Sequence, residues 1–120
     1  MAHTAAHSKS RDMQQCIDAC TSCHAICAET AHHCLHLGGK HADAHHIGLL
    51  QDCAEICQTS ANFMLRGSDH SAHTCAACAK VCRACEESCR SMGSDEMMQK
   101  CADACRKCAE SCERMAAMAH

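Results

Sequence analysis

Cysteine recurs along this chain at spacings that place thiols on one side of a helix. Three segments, at 16–27, 78–89 and 101–112, share the pattern C-x3-C-x2-C-x3-C. Steps of three and four residues return to the same face of an α-helix, which has 3.6 residues per turn. Thiols gathered in this way are typical of soft-metal binding or of thiol redox chemistry. The recurrence of one pattern indicates a single structural unit used three times.

The remaining cysteines extend these stripes. Cys34 continues the first repeat, Cys75 precedes the second, and Cys53 with Cys57 mark a further helical stretch whose stripe continues through His46, Leu50, Ser60 and Met64. The candidate metal ligands are therefore all the cysteines of the chain: Cys16, Cys20, Cys23, Cys27, Cys34, Cys53, Cys57, Cys75, Cys78, Cys82, Cys85, Cys89, Cys101, Cys105, Cys108 and Cys112.

Four helices must carry these stripes. Proline is absent, and most of the glycines follow stretches of helical periodicity, as expected of residues that end helices. The pattern predicts helices near 10–36, 43–66, 70–91 and 95–118, with residues 1–9 expected to be flexible. Because the connections are short, neighbouring helices should run antiparallel. We expect an all-α, up-down-up-down four-helix bundle with cysteines lining its core, forming one metal-binding domain over residues 1–120.

The composition indicates that hydrocarbon fills only part of the interior. The hydrophobic class makes up 48% of the 120 residues, but it includes 16 cysteines and many alanines, and Phe63 is the single aromatic residue. A helical domain of this size usually buries many large apolar side chains. The narrow cysteine stripes should therefore face the bundle axis, where a hydrophobic core would otherwise lie.

Two interpretations without metal explain the thiols poorly. Free cysteine can act as a small buried hydrophobe, but alanine or valine would fill the same volume on all four helices without a risk of oxidation. Disulfides between residues i and i+4 of one helix are hard to form because the side chains run side by side. Cross-helix disulfides are rarely kept in a reducing compartment.

Charge and geometry favour copper(I) among the thiophilic metals. Four all-thiolate zinc sites would leave a large buried negative charge, which is very costly. Iron–sulfur clusters usually take cysteines from short loops. Copper(I) is monovalent and accepts few ligands, so many ions shared among thiolates give a nearly neutral core. An iron–sulfur or thiol-redox protein and a zinc-binding structural module remain the alternatives.

A cysteine-striped four-helix chain with a repeated C-x3-C-x2-C-x3-C motif resembles the bacterial copper storage proteins, in particular their cytosolic branch. The resemblance covers about residues 16–118. It implies a homotetramer of four-helix bundles, each storing many copper(I) ions on the sixteen cysteines named above and so preventing their redox damage. It also implies a histidine-lined mouth at one end of each bundle.

Histidines and methionines gather at the two ends of the predicted bundle. Imidazole and thioether groups bind copper with moderate strength, which suits capture and transfer. We expect the mouth at the end that contains the first and third connections. The candidate metal-entry residues are His36, His41, His45, His46 and Met97 at that end, and Met64 at the other end, where the termini and the second connection lie.

The sequence argues against several other classes of protein. The formal charge is −3, with no basic block, so nucleic acid is not expected as a partner. There is no apolar run long enough to span a membrane and no apolar segment of the kind an export signal needs; we expect a cytoplasmic protein. No catalytic constellation is evident, so an enzyme is not expected. Four isoleucines away from the thiol stripes, Ile17, Ile26, Ile47 and Ile56, favour a subunit interface.

Overall fold

Four α-helices make up most of the chain in this computed structural model, which describes residues 10–93 and 95–118. Helix α1 spans Arg11–Leu37, α2 spans Ala44–Leu65, α3 spans Ser71–Arg90 and α4 spans Glu96–Met118. Each overlaps one of the four predicted helices. A short 3-10 helix, Gly39–Ala42, lies between α1 and α2 and was not predicted. The expectation for residues 1–9 concerns residues outside the described ranges.

The helices form the predicted four-helix bundle. Helix α1 packs against α2 and α4, and α3 packs against the same two helices. The short connections make successive helices antiparallel, so the pairs α1/α3 and α2/α4 face each other diagonally across the axis. The molecule is a rod of 56 × 22 × 20 Å. The described residues contain helices and turns but no strand, which confirms the predicted fold class.

Local hydrogen bonds fix both ends of the connection between α1 and α2. The backbone N–H of Gly38 donates to the carbonyl of Cys34 at 3.1 Å, and Gly38 has φ 71°, a value that glycine adopts without strain. The Asp43 carboxylate then caps α2 by accepting from the backbone N–H groups of His45 and His46. These contacts set where the stripe of α2 begins.

The start of α3 has no side-chain cap. The helix begins at Ser71, with His70 in the capping position. The Ser68 hydroxyl accepts from the backbone N–H of His70 at 3.0 Å. Because the Ser68 hydroxyl accepts this hydrogen bond within the turn that follows Gly67, it does not cap α3, and the helix begins only at Ser71.

The outer faces are largely polar, with some apolar side chains. Arg83 on α3 forms an ion pair with Glu113 on α4 at 3.0 Å. Ile26, Ile47 and Ile56 are half-buried. Ile17, in contrast, is only 4% exposed within the single chain, so it needs no second subunit to cover it.

Candidate metal centre

The sixteen cysteines line the interior of the bundle and are here called the thiol column. Every one of them has zero exposure to solvent. All sixteen are free thiols, with no disulfide among the described residues. The thiols thus occupy the axis of the bundle, where the stripe spacing predicted them.

Neighbouring sulfurs in the column lie at distances that suit shared metal ions. The Cys53 Sγ lies 3.5 Å from that of Cys82 and 3.8 Å from that of Cys23, and the Cys57 Sγ lies 3.6 Å from that of Cys78. With metal–sulfur bonds of about 2.3 Å, three ligands around one ion stand about 4.0 Å apart and four stand about 3.8 Å apart. The sulfurs are therefore already spaced for three- or four-ligand coordination, whereas two collinear ligands would stand about 4.6 Å apart.

The thiols combine into overlapping sets and not into isolated sites. At least five sets of four sulfurs have all members within 4.8 Å of one another. Cys53 belongs to one set with Cys23, Cys57 and Cys82 and to another with Cys23, Cys27 and Cys105. Because sets share members, one thiolate can bridge two ions.

In the metal-free protein, Cys34 at one end of the column and Cys75 at the other are held in their protonated form. Burial raises the pKa of Cys34 to about 11, and the nearby negative charge of Asp95 adds to the effect. The hydrogen bond with Cys112 lowers the pKa of Cys75, but the hydrogen bond with Cys16 and burial outweigh it and raise the pKa to about 12. A metal ion must displace these protons, so metal binding releases them to the solvent.

These raised pKa values predict that the metal-free protein loses stability in alkali. An exposed thiol in the unfolded chain ionises near pH 9, but Cys34 in the folded chain does so only near 11. The unfolded state therefore binds fewer protons between these values, and the free energy of unfolding falls as pH rises through this window. We expect the melting temperature under reducing conditions to fall by about 5 °C or more between pH 8 and pH 10.5. An unchanged melting temperature would contradict the burial of protonated thiols.

A histidine, a methionine and a cysteine meet at one end of the column, here called the histidine end. The His46 side chain is buried, with Nε2 3.5 Å from the Cys34 Sγ and Nδ1 2.7 Å from the Ser88 hydroxyl. The Sδ of Met98 lies 3.9 Å from the Cys34 Sγ. Burial lowers the pKa of His46, which favours the neutral imidazole that can bind a metal.

The other three histidines predicted at this end do not contact the thiols. His36 and His45 are exposed, and the Nδ1 of His36 is 3.2 Å from the carbonyl oxygen of His32. The Nε2 of His41 lies 3.7 Å from a carboxylate oxygen of Asp95. Met97 is half-buried. Among the predicted entry residues at the histidine end, only His46 touches the column.

Met64 lies at the opposite end of the bundle, here called the methionine end. Its Sδ is 3.8 Å from the Cys75 Sγ, and the residue is only 1% exposed. Met13, Met115 and Met118 line an open cavity at this end of the bundle, together with His73. Met64 is the one predicted entry residue at this end, and the length of the column separates it from the entry histidines.

The comparison with protein-family models places this arrangement in a known group. The model described as "Copper storage protein" matches residues 9–117, which is nearly the whole chain. The chain belongs to the copper storage protein family. A comparison with curated proteins gave no significant match.

Solved structures of copper storage proteins and similar chains share the fold. A crystal structure of a protein from Nitrosospira multiformis is 48% identical, with a TM-score of 0.86 over 92% of this chain and 99% of that one. The Cu(I)-bound copper storage protein BsCsp3 is 34% identical, with a TM-score of 0.81 over 88% and 99% of the two chains. A cytosolic copper storage protein from Streptomyces lividans, solved with five coppers, is 30% identical, with a TM-score of 0.76 over 88% and 92%.

The stripes of this copper storage family member hold buried residues other than cysteine. In each helix the stripe advances by alternating steps of three and four residues. The positions that lack a thiol are filled by Thr30, His46, Leu50, Ser60, Met64, Ser71, Met98 and Met115, all of them buried. Helix α2 contributes four of these, which is why it has only two cysteines. Thr30 separates Cys34 from the other thiols of α1, and Leu50 and His46 fill the stripe of α2 between Cys53 and the histidine end, whereas α3 and α4 continue there with Cys85, Cys89 and Cys101.

Two of these positions could have been recognised from the sequence. Met98 is three residues before Cys101, in step with the stripe of α4, whereas the predicted entry residue Met97 is one residue, or about 100° on the helix, out of step. Thr30 stands between Cys27 and Cys34 at the same steps of three and four. The alternating step, applied to every position and not only to cysteines, is the signal that identifies them.

Proposed function

We propose that this protein binds and stores copper(I), keeping many ions per chain within the thiol column and away from redox chemistry in the cell. The observation that carries this proposal is the set of sixteen buried free thiols, twelve of which have another cysteine sulfur 3.5–4.0 Å away. The family match and the Cu(I)-bound relatives support the choice of metal. In this role the protein is a metal carrier and not an enzyme.

The electrostatics of a dry interior favour a monovalent ion. If each thiolate is balanced by about one copper(I), the column is nearly neutral, whereas tetrahedral zinc would leave half of the thiolate charge uncompensated. The column offers overlapping sets in which sulfurs can bridge neighbouring ions. All sixteen cysteines are assigned as ligands, with His46, Met98 and Met64 as additional donors at the ends.

Metal content tests this proposal against its alternatives. Protein purified without oxygen from copper-rich cells should contain copper and be colourless, with ultraviolet thiolate-to-copper(I) absorption. A brown protein with broad visible bands would indicate an iron–sulfur protein instead, and zinc in place of copper would indicate a structural module. Each of these two results would refute copper storage.

Copper is proposed to enter at the histidine end. The support is the contact of His46 and Met98 with Cys34, the last thiol of α1, beneath the histidines His36, His41 and His45. Met97 stands beside Met98 at the same mouth, and Met64 is assigned to the methionine end as a second thioether donor to the column.

A change at His46 tests this route. Replacing His46 with Ala should slow the rate of copper(I) loading by about tenfold or more, because the pair of donors formed by His46 and Cys34 at the mouth is lost. The final copper content should stay within about one ion of the wild type. Stopped-flow absorption under anaerobic conditions measures the rate. His73→Ala, at the methionine end, is the matched control. If that control slows loading as much as the His46 change, entry at the histidine end is wrong.

The assembly and cellular location are also part of the proposal. We assign a homotetramer in the cytoplasm, in which residues 1–120 make one domain. Half-buried Ile26, Ile47 and Ile56 and the exposed side chain of Leu65 provide apolar surface for contact between subunits. The Streptomyces lividans relative is described as cytosolic. None of the helices in the described ranges is long and apolar enough to cross a membrane.

A further inference from the structure

Two histidines and one carboxylate converge beside the histidine end, outside the thiol column. The His33 Nε2 lies 3.0 Å from the Oδ2 of Asp95, and the His41 Nε2 lies 3.7 Å from the same oxygen. The three residues come from different elements: His33 from the last turns of α1, His41 from the 3-10 helix and Asp95 from the position before α4. They contain no sulfur, so their chemistry differs from that of the column.

Hydrogen bonding does not fully satisfy this cluster. The His41 Nε2 is buried and has no hydrogen-bond partner among the described residues, and at 3.7 Å it is too far from Asp95 to form one. The other carboxylate oxygen, Oδ1, accepts from the backbone N–H of Met97 at 2.9 Å. The cap of α4 therefore uses one oxygen of Asp95 and leaves the other facing the two imidazoles.

The spacing of these donors suits a small divalent ion. Zinc–nitrogen and zinc–oxygen bonds of about 2.1 Å in a tetrahedral site place neighbouring ligand atoms about 3.4 Å apart. The observed distances of 3.0 and 3.7 Å lie on either side of that value. The side chains of His33, His41 and Asp95 are 33%, 19% and 25% exposed, so an ion can reach them from solvent.

We infer that His33, His41 and Asp95 form a second metal site, which takes a borderline divalent cation such as Zn²⁺ in preference to copper(I). Imidazole and carboxylate suit zinc and copper(II), whereas copper(I) is drawn to thiolate and thioether sulfur. A fourth position is left for water, as in zinc sites with three protein ligands. An ion held here joins the α1–α2 and α3–α4 connections at the proposed mouth. The site stands independently of copper storage.

The test uses zinc on protein whose thiols are already occupied. Wild-type protein is saturated with copper(I) without oxygen, desalted, and titrated with Zn²⁺. We expect one further zinc per chain. X-ray absorption at the zinc edge should show nitrogen and oxygen ligands near 2.1 Å and no sulfur near 2.3 Å. Zinc that is bound through sulfur, or no bound zinc at all, would overturn the inference.

Matched variants locate the site. Asp95→Asn keeps a side-chain oxygen that can cap α4 but removes the charge, and His41→Gln removes one imidazole; each should weaken zinc binding by at least about tenfold. His73→Ala, at the methionine end, should bind zinc like the wild type. Equal zinc binding by wild-type protein and Asp95→Asn would refute the assignment.

The difference in zinc content between wild type and Asp95→Asn is expected whether or not the thiols take up copper. Failure of copper loading counts against copper storage alone, and loss of this difference counts against the zinc site alone.

Discussion

Saturation with copper(I) should raise the melting temperature of the reduced protein by at least about 12 °C. The ions bind sites that exist only when the four stripes are assembled, so they stabilise the folded state by mass action. A single site at free copper 1,000-fold above its dissociation constant adds about 4 kcal/mol to the free energy of unfolding. The column offers many such sites. The measurement is a thermal melt followed by circular dichroism at 222 nm, with and without copper(I), in the absence of oxygen.

Calcium and magnesium provide the control for this experiment. Both prefer oxygen ligands, so they should leave the melting temperature unchanged. A melting temperature that does not rise with copper(I), or that rises equally with calcium, would mean that the buried thiols are not the metal site.

Replacing both thiols of α2 should lower the copper capacity and speed the release of the remaining ions. Cys53 contacts Cys23, Cys82 and Cys105, and Cys57 contacts Cys78, Cys82 and Cys108. Without them, several of the overlapping sets lose a member. For the double variant Cys53→Ser, Cys57→Ser we expect the loss of at least about two ions per chain and faster removal of the rest by a chelator.

Bound copper after desalting measures the capacity, and the time course with a copper(I) chelator measures the release. Gln51→Ala, an exposed position on the same helix, is the matched control and should match the wild type in both. If the double variant retains the wild-type capacity and release rate, the α2 thiols are not ligands, and the copper ligands are fewer than the sulfur distances indicate.

The stripe spacing was sufficient to predict the bundle and the burial of its thiols. Steps of three and four residues fix which helix face Cys16 to Cys34 occupy, and short glycine-containing connections fix the antiparallel order. A large set of side chains of one type on four amphipathic faces allows only one common interior. This is why the all-α fold was predicted correctly from the sequence alone.

The features that were missed depend on contacts between distant parts of the chain. The 3-10 helix Gly39–Ala42 is too short to show a periodic pattern. The approach of His33 and His41 to Asp95 joins residues more than fifty positions apart, so neither local spacing nor composition reveals it.

An anaerobic titration of the fully reduced protein with copper(I) tests the central claim most directly. Thiolate-to-copper absorption is followed during the titration, and bound copper is counted after desalting. Sixteen buried thiols predict saturation near one copper per thiol, in a protein that remains helical. Saturation at one or two coppers would contradict storage in the thiol column and would indicate a copper chaperone or sensor site instead.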